Sequence, residues 1–268
     1  MLRRILALFI AVSLGCYTRA QADYLPHTVY RYQVQWQTMK AGYMLGELMP
    51  RKGGFNMFLA VESAGIVDIL LNHHSHSTLE TTYTKDGRLM PIQFRTESTL
   101  RNKEKSIHID YDHQGGVKHE EVIPADKRVK RPEVNSSRKT MFNPLFASLE
   151  VHRHVLEYRK DPTHNNFKIP VYDARRLAEY QFTIIGRKNI SVNHQDFRVI
   201  HVHFTRQLLE GYTKKEWKND ENERPEIDVY LTDDEQTLPI KFQGQLGMGT
   251  ITATLSNVCH TRTECEYK

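Results

Sequence analysis

Tyr30, Tyr32, Val34 and Trp36 alternate with Arg31, Gln33 and Gln35, the cleanest two-residue period in the chain. A period of two puts successive side chains on opposite faces of a strand, so the aromatic face is expected to be buried. The same signature recurs. Residues 43–49 and 55–61 flank Arg51-Lys52-Gly53-Gly54 as a hairpin with a glycine turn. Further strands are read at 66–71, 78–83, 92–99, 106–111 and 117–123, with the turn Asp112 to Gly116 joining the last two. Strands resume at 167–172, 179–185 and 197–204. In the last of these the apolar positions change parity, from Phe197 and Val199 to Ile200, Val202 and Phe204, which predicts a bulge or burial on both faces. Pro225 to Val258 holds three more strands. Ile227, Val229 and Leu231 alternate with polar residues; Leu238 to Phe242 follows; Ile251, Ala253 and Leu255 then oppose Thr250, Thr252 and Thr254.

Two stretches share one plan. Tyr83 to Phe94 and Tyr230 to Phe242 each read as a strand end, an acidic turn and Pro-Ile-x-Phe. A repeated plan points to two related halves. Because proline cannot donate to a ladder, Pro91 and Pro239 are expected to begin their strands or to lie on an edge. One helix is predicted. Asn143 is a good N-cap and Pro144 suits the first helical position. Leu145, Leu149, His152 and Leu156 form a stripe flanked by Phe146, and Asp161-Pro162 ends it. His152 on that stripe reads as a core histidine. Lys127 to Lys139 and Lys214 to Glu226 read as charged, solvated loops, the first also long and basic enough to meet anionic headgroups. The expected fold class is all-β and mainly antiparallel, a rolled sheet or β-barrel with one short helix, in a single domain over residues 23–268.

Residues 1–22 carry the marks of a secretory signal: Arg3 and Arg4, the apolar run Ile5 to Leu14, and the small-x-small site Ala20-Gln21-Ala22. Cleavage after Ala22 and a periplasmic location are expected. The run is too short for a membrane anchor. Lipidation at Cys16 is the competing outcome, although Ser13 stands where a lipoprotein signal has Leu. Loss of Arg3, Arg4 and Arg19 takes the formal charge from +5 to +2 (34 basic against 32 acidic residues), which is not a nucleic-acid-binding balance. No other apolar run approaches a membrane span, so no transmembrane segment is expected in the mature chain. Two cysteines then remain, Cys259 and Cys265, and an even count in an exported chain predicts a disulfide between them rather than half of a zinc site with His260.

Several segments together resemble a known bacterial exported family, domain of unknown function 3108. They are Tyr30 to Trp36 followed by Ala41-Gly42; Gly87 to Pro91; Met141 to Leu149; Ile169 to Arg176; and Tyr230 to Asp233 leading to Leu238 to Lys241. The likeness runs along nearly the whole mature chain, and the order of the segments carries more of it than any one motif. It implies a periplasmic barrel or rolled sheet and supplies no activity. One departure is Ala174, where an Asp-Gly-Arg-Arg-like segment has Gly, and it argues against a tight turn there. A looser likeness, at the level of fold, is to periplasmic lipoprotein carriers whose half-open barrels wrap a helix.

The sequence contains no nucleophile elbow, phosphate-binding glycine loop or His-Glu-x-x-His. Asp233 and Asp234 are paired acids in a turn, where Asp commonly bonds the local backbone. Histidine is abundant, at 14 residues, and two His-x-His pairs stand out: His74 and His76, His201 and His203. Each pair shares one strand face and is a candidate half of a zinc site, but neither has a nearby third ligand, so no metal and no cofactor is expected. About a dozen strands form a barrel too wide for its own side chains to fill. The helix and an apolar ligand are the expected fillings, with Tyr30, Tyr32, Val34 and Trp36 facing Leu145, Phe146 and Leu149 across it. The leading expectation is therefore a non-enzymatic protein that binds a lipid or another apolar or amphiphilic cell-envelope molecule. An envelope scaffold with a protein partner is the alternative, and a zinc-dependent enzyme a third reading.

Overall fold

The computed structural model describes residues 27–124, 131–222, 225–246 and 249–266. The segment expected to be a secretory signal, its expected cleavage site and Cys16 lie outside the described residues. The strands are β1 (Thr28–Trp36), β2 (Met39–Arg51), β3 (Gly54–Ser63), β4 (His73–Tyr83), β5 (Leu89–Leu100), β6 (Lys103–Tyr111), β7 (Val117–Ile123), β8 (Asn166–Tyr172), β9 (Leu177–Val192), β10 (Gln195–Glu210), β11 (Glu226–Thr232), β12 (Pro239–Leu246) and β13 (Gly249–Cys259). The helices are α1 (Ile66–Leu71), α2 (Pro144–Lys160), α3 (Lys214–Asn222) and α4 (Arg262–Glu266). Every pairing with a defined register is antiparallel.

Contacts divide the chain into two compact units. The first holds β1 to β7 and the end of the chain from Leu255; its strands run in the order β7-β6-β5-β4-β3-β2-β1, with the last residues of β13 beside β1. The second runs from Asp126 to Thr254 in the order β8-β9-β10-β11-β12, with Gly249–Thr254 of β13 beside β12.

In the first unit the alternation of β1 holds. Tyr32 and Val34 are buried, and the face continues through Met44 and Leu48 of β2, Leu59 and Val61 of β3, Leu79 of β4, Phe94 of β5 and Ile109 of β6. Gly42 lies opposite Val34 because the backbone of the next strand comes close there: a Cβ would stand 2.1 Å from the carbonyl oxygen of Glu62. On the other side of β1, Val29 packs with Cys259 and Cys265, which are joined as a disulfide as expected. Arg31 donates to the carbonyl of Cys265, and Glu47, itself buried, binds both His27 and Arg262 of α4.

The second unit buries a row that crosses its strands. Phe167, Phe182 and Phe204 are register partners on β8, β9 and β10, with ring centroids 4.9 and 5.0 Å apart, and Ile227 of β11 continues the row. The parity change in β10 comes from burial on both faces, since Val199 and Ile200 are both buried; the bulge in this pairing is on the partner strand, at Ile185 before Gly186.

The Pro-Ile-x-Phe stretches occupy corresponding hairpins, β4–β5 in one unit and β11–β12 in the other. In both, the register shifts just before the proline's partner, between Glu80 and Thr81 and between Tyr230 and Leu231. Pro239 begins its strand as expected. Pro91 does not: it is the third residue of β5, tolerated because the bulge removes the need for its amide.

Among the described residues four α-helices stand where one was expected. The apolar run 66–71 is a helix, not a strand. Its length fits either, and Asn72 in the left-handed conformation closes the turn. The charged segment from Lys214 is also helical. Thr213-Lys214-Lys215-Glu216 is a capping box, with the Thr213 amide donating to Glu216 and the Glu216 amide to Thr213 Oγ1. Asp220 forms a buried ion pair with Arg206, and half-buried Glu216 pairs with both Arg131 and Arg176. The described part of the basic stretch 127–139 is likewise anchored, through Arg131 to the Gly211 carbonyl and through Arg138 to Glu210.

The tight turn at Ala174 is present after all. Ala174 takes φ 64°, and the Asp173 side chain receives the amides of Arg175 and Arg176. A Cβ in the left-handed region costs roughly 1–2 kcal/mol, part of which glycine returns as entropy of the unfolded chain. Ala174→Gly should therefore raise the unfolding free energy by about 1 kcal/mol, seen as a higher denaturant midpoint at unchanged slope; a lower midpoint would show that the Ala174 methyl contributes more by packing than it costs in strain.

Candidate functional site

The residues expected to line a ligand site fall in different units. On β1, Tyr32 and Val34 are buried while Tyr30 and Trp36 are half-buried, and a register irregularity follows Val34, before Trp36. Burial, and then the neighbouring Tyr30, hold the Tyr32 hydroxyl well above the ordinary phenol range, so it stays protonated. Leu145, Phe146 and Leu149 lie on α2, in the second unit. Asn143 caps that helix by accepting from the amides of Leu145 and Phe146. Leu145 and Phe146 are buried, but the stripe continues through Val151, His152, Val155 and Tyr158, leaving Leu149 and Leu156 half-buried. The β-branched valines at a four-residue spacing, with Tyr158 after them, set the buried face, which the leucine spacing alone misplaced by about one residue. The helix runs to Lys160 with Asp161 as its C-cap, so it ends at Asp161-Pro162 as expected. His152 is fully buried, as expected of a core histidine.

The histidines are engaged with acids and aromatic rings. His74 meets the Asn72 side chain at 3.0 Å, and His76 pairs with Glu97 at 3.1 Å. His201 and His203 both point at one atom, Oδ1 of Asp228, at 2.6 and 3.1 Å. His201 also stacks on Tyr230, and Lys188 and Lys241 lie over the same ring. Burial first, and then Lys188, lower the pKa of Lys241, against the pull of Asp228. The two histidines thus converge on an occupied carboxylate and not on a point where a cation could sit, and among the described residues no group of three or more His, Cys, Asp or Glu is arranged to hold a metal.

Asp233 and Asp234 part company in the structure. Asp234 does what its turn position implies, accepting from the amides of Gln236 and Thr237 and from the Thr232 hydroxyl. Asp233 instead receives arginine side chains from β9, β10 and α2.

The feature that sequence reasoning missed is α1. It presents Ile69 at 85% exposure and Ile66 and Leu70 at 58% each, while Val67 is buried and Asp68 and Leu71 are half-buried. Met39, at the start of β2, is also exposed. These residues share one end of the first unit, where three connections meet: the β1–β2 turn, α1 and the β5–β6 turn. Ala64 donates to the Ala41 carbonyl, Arg101 to the Leu71 carbonyl, and the Asn72 side chain to Asn102. The Ser63 hydroxyl holds Asp68 on the underside of the helix. A short helix fixed at both sides and apolar outward is not explained by the needs of the core. The signal was present in Ile66, Ile69 and Leu70, a three- and four-residue spacing between Gly65 and Asn72.

The family model for DUF3108, protein of unknown function, matches residues 31–256. No curated protein matches the chain. Among solved structures, a beta-barrel-like protein of domain of unknown function DUF1849 from Brucella abortus is similar over 87% of this chain and 97% of its own, at 11% identity and a TM-score of 0.49. Among the described residues no helix is long and apolar enough to cross a membrane.

His154 on α2 offers a test of the packing around this helix. Its ring stacks on Phe167 at 4.1 Å, and burial, then Arg153, push its pKa down against Glu150 and Glu157. The unfolded chain takes up a proton near pH ~6.5 while the folded chain resists it. The stability this gives is complete above that pH and falls away as the pH drops through the folded value. His154→Phe, which keeps the stack, should flatten the loss of unfolding free energy on the acid side of pH ~6.5. Superimposable pH profiles for the two proteins would contradict this environment for His154.

Proposed function

The chain belongs to the DUF3108 family, whose description assigns no activity, and from its structure we propose that it binds an apolar or amphiphilic cell-envelope molecule, a lipid or a lipid-bearing partner, without catalysing a reaction on it. On this reading it works in the periplasm after residues 1–22 are removed, and the exposed face of α1 with Met39 is where the apolar part of the ligand meets the protein. The observation that carries the reading is Ile69, which exposes 85% of its surface on a helix anchored from both sides. An apolar group held rigidly in water lowers the free energy of any apolar surface it covers, and rigidity reduces the entropy lost on binding. Lys40, Arg101 and Lys103 at the same end, beside Glu62 and Glu104, give the rim a mixed polar character suited to an amphiphile's headgroup. Support for binding rather than catalysis comes from the histidine pairs, each ring of which has one nitrogen engaged by Asn72, Glu97 or Asp228.

The test is co-flotation with vesicles of phosphatidylethanolamine and phosphatidylglycerol. The native chain should float with them. Ile69→Asp should weaken that association roughly 10-fold or more, as the loss of one buried aliphatic side chain implies, with an unchanged thermal midpoint because the side chain makes little internal contact. A native chain that stays in the soluble fraction, or an Ile69→Asp protein that floats equally well, would remove the support for this reading and favour the scaffold role with a protein partner.

A further inference from the structure

The second unit carries a cluster of arginines whose charge its one shared carboxylate does not balance. Asp233 opens the turn between β11 and β12, and its side chain is only 8% exposed. Oδ2 is reached at 3.0 Å by Nε of Arg187 on β9 and at 3.0 Å by Nε of Arg198 on β10. Arg159, in the last turn of α2, approaches Oδ1 at 3.8 Å and donates to the Asp234 carbonyl. The backbone repeats the link, because the Asp233 amide donates to the Arg198 carbonyl. Position is set by the fold. Arg187 pairs with Ile200 and Arg198 with Asn189, so the two arginines are diagonal neighbours on one face, immediately after the bulge at Ile185. The Tyr158 ring lies 5.3 Å from the Arg187 guanidinium and steadies it further.

Two features of this arrangement point to an anion. Three guanidiniums surround one carboxylate. The neighbouring Asp234 carboxylate is committed to the turn amides, and Asp196 stands on the Arg198 side of the sheet two residues away. Like charges held this close repel, and the repulsion is relieved by a further negative group. In addition, Arg187 and Arg198 approach Asp233 through Nε, which leaves the Nη1–Nη2 edge of each guanidinium turned from the carboxylate, and the Arg198 side chain is 69% exposed. A planar guanidinium whose orientation is already fixed loses less entropy when it forms a forked pair with an oxyanion.

We propose that Arg187, Arg198 and Arg159, ordered by Asp233, form a binding site for a phosphate group, either free phosphate or the phosphate of a lipid headgroup. The site lies wholly within the second unit and does not depend on α1 or on the lipid-binding reading.

The experiment follows the thermal midpoint of the full mature chain in sodium phosphate and in sodium chloride at matched ionic strength, and titrates it with dihexanoyl phosphatidic acid as a short-chain lipid phosphate. Phosphate should raise the midpoint above the chloride value, and Arg198→Gln should abolish most of that rise while leaving the midpoint in chloride close to native, since the side chain is mostly exposed. Arg198→Lys, which keeps the charge without the fork, should retain part of it. Equal effects of inorganic phosphate and the short-chain lipid identify free phosphate as sufficient, and at least a ten-fold tighter response to the lipid identifies the headgroup; both support the site. No phosphate-specific rise in the native chain, or the same rise in Arg198→Gln, would overturn it.

Discussion

A long antiparallel strand satisfies its backbone only beside another strand, and its side chains then have two faces, of which one must leave water. Most of what this chain does follows from that constraint. In the first unit the dry face runs from Tyr32 and Val34 through Met44, Leu59 and Leu79 to Phe94 and Ile109. In the second it is the row Phe167, Phe182, Phe204 and Ile227, with α2 against β8 and His154 stacked on Phe167. Each of these side chains contributes about 1.5–3 kcal/mol by burial, and register slippage by a single residue would turn all of them outward at once. The bulges at Glu80–Thr81, Tyr230–Leu231 and Ile185 therefore matter: each inserts a residue where the ladder would otherwise demand a proline amide or a change of face.

The parts legible in the sequence were those governed by nearest neighbours. Alternation at Tyr30 to Trp36 located β1, Asn143-Pro144 located the start of α2, and the paired Pro-Ile-x-Phe stretches located two corresponding hairpins. Where local pattern was ambiguous the reading failed. Five apolar residues and Asp68 at 66–71 fit strand or helix equally, and what decides them is the anchoring of the flanking residues to Ala41 of β2 and Asn102 of the β5–β6 turn. Lys214 to Asn222 looked like solvated loop because its charges suggested exposure; its capping box was the overlooked local cue, and the burial of Asp220 against Arg206 could not be seen without the fold. Ala174 shows the opposite error: a missing glycine argued against a turn that Asp173 stabilises anyway.

Charge placement was the least legible layer, because its partners come from distant segments. Arg131 and Arg176 meet at Glu216, and Arg159, Arg187 and Arg198 meet at Asp233. The two clusters differ in balance. Glu216 sits between buried Arg176 and half-buried Arg131 and ties α3 to the end of the sheet, a structural use in which the hydrogen bonds offset the cost of desolvation. Asp233 gathers three arginines of which one is largely in water, and that surplus is what gives the second cluster a use beyond holding the turn. His201 and His203 fall on the structural side as well, since Asp228 takes both.

The lipid-binding reading rests on an apolar helix that the fold positions but does not cover, and on a chain whose polar groups are largely spent on one another. Native mass spectrometry of the protein released from its own cells without detergent addresses it most directly. The account expects a species heavier than the bare chain by the mass of an amphiphile, returning to the bare mass after extraction with organic solvent. A single species at the mass of the polypeptide alone, in protein taken from cells with an intact envelope, would contradict it.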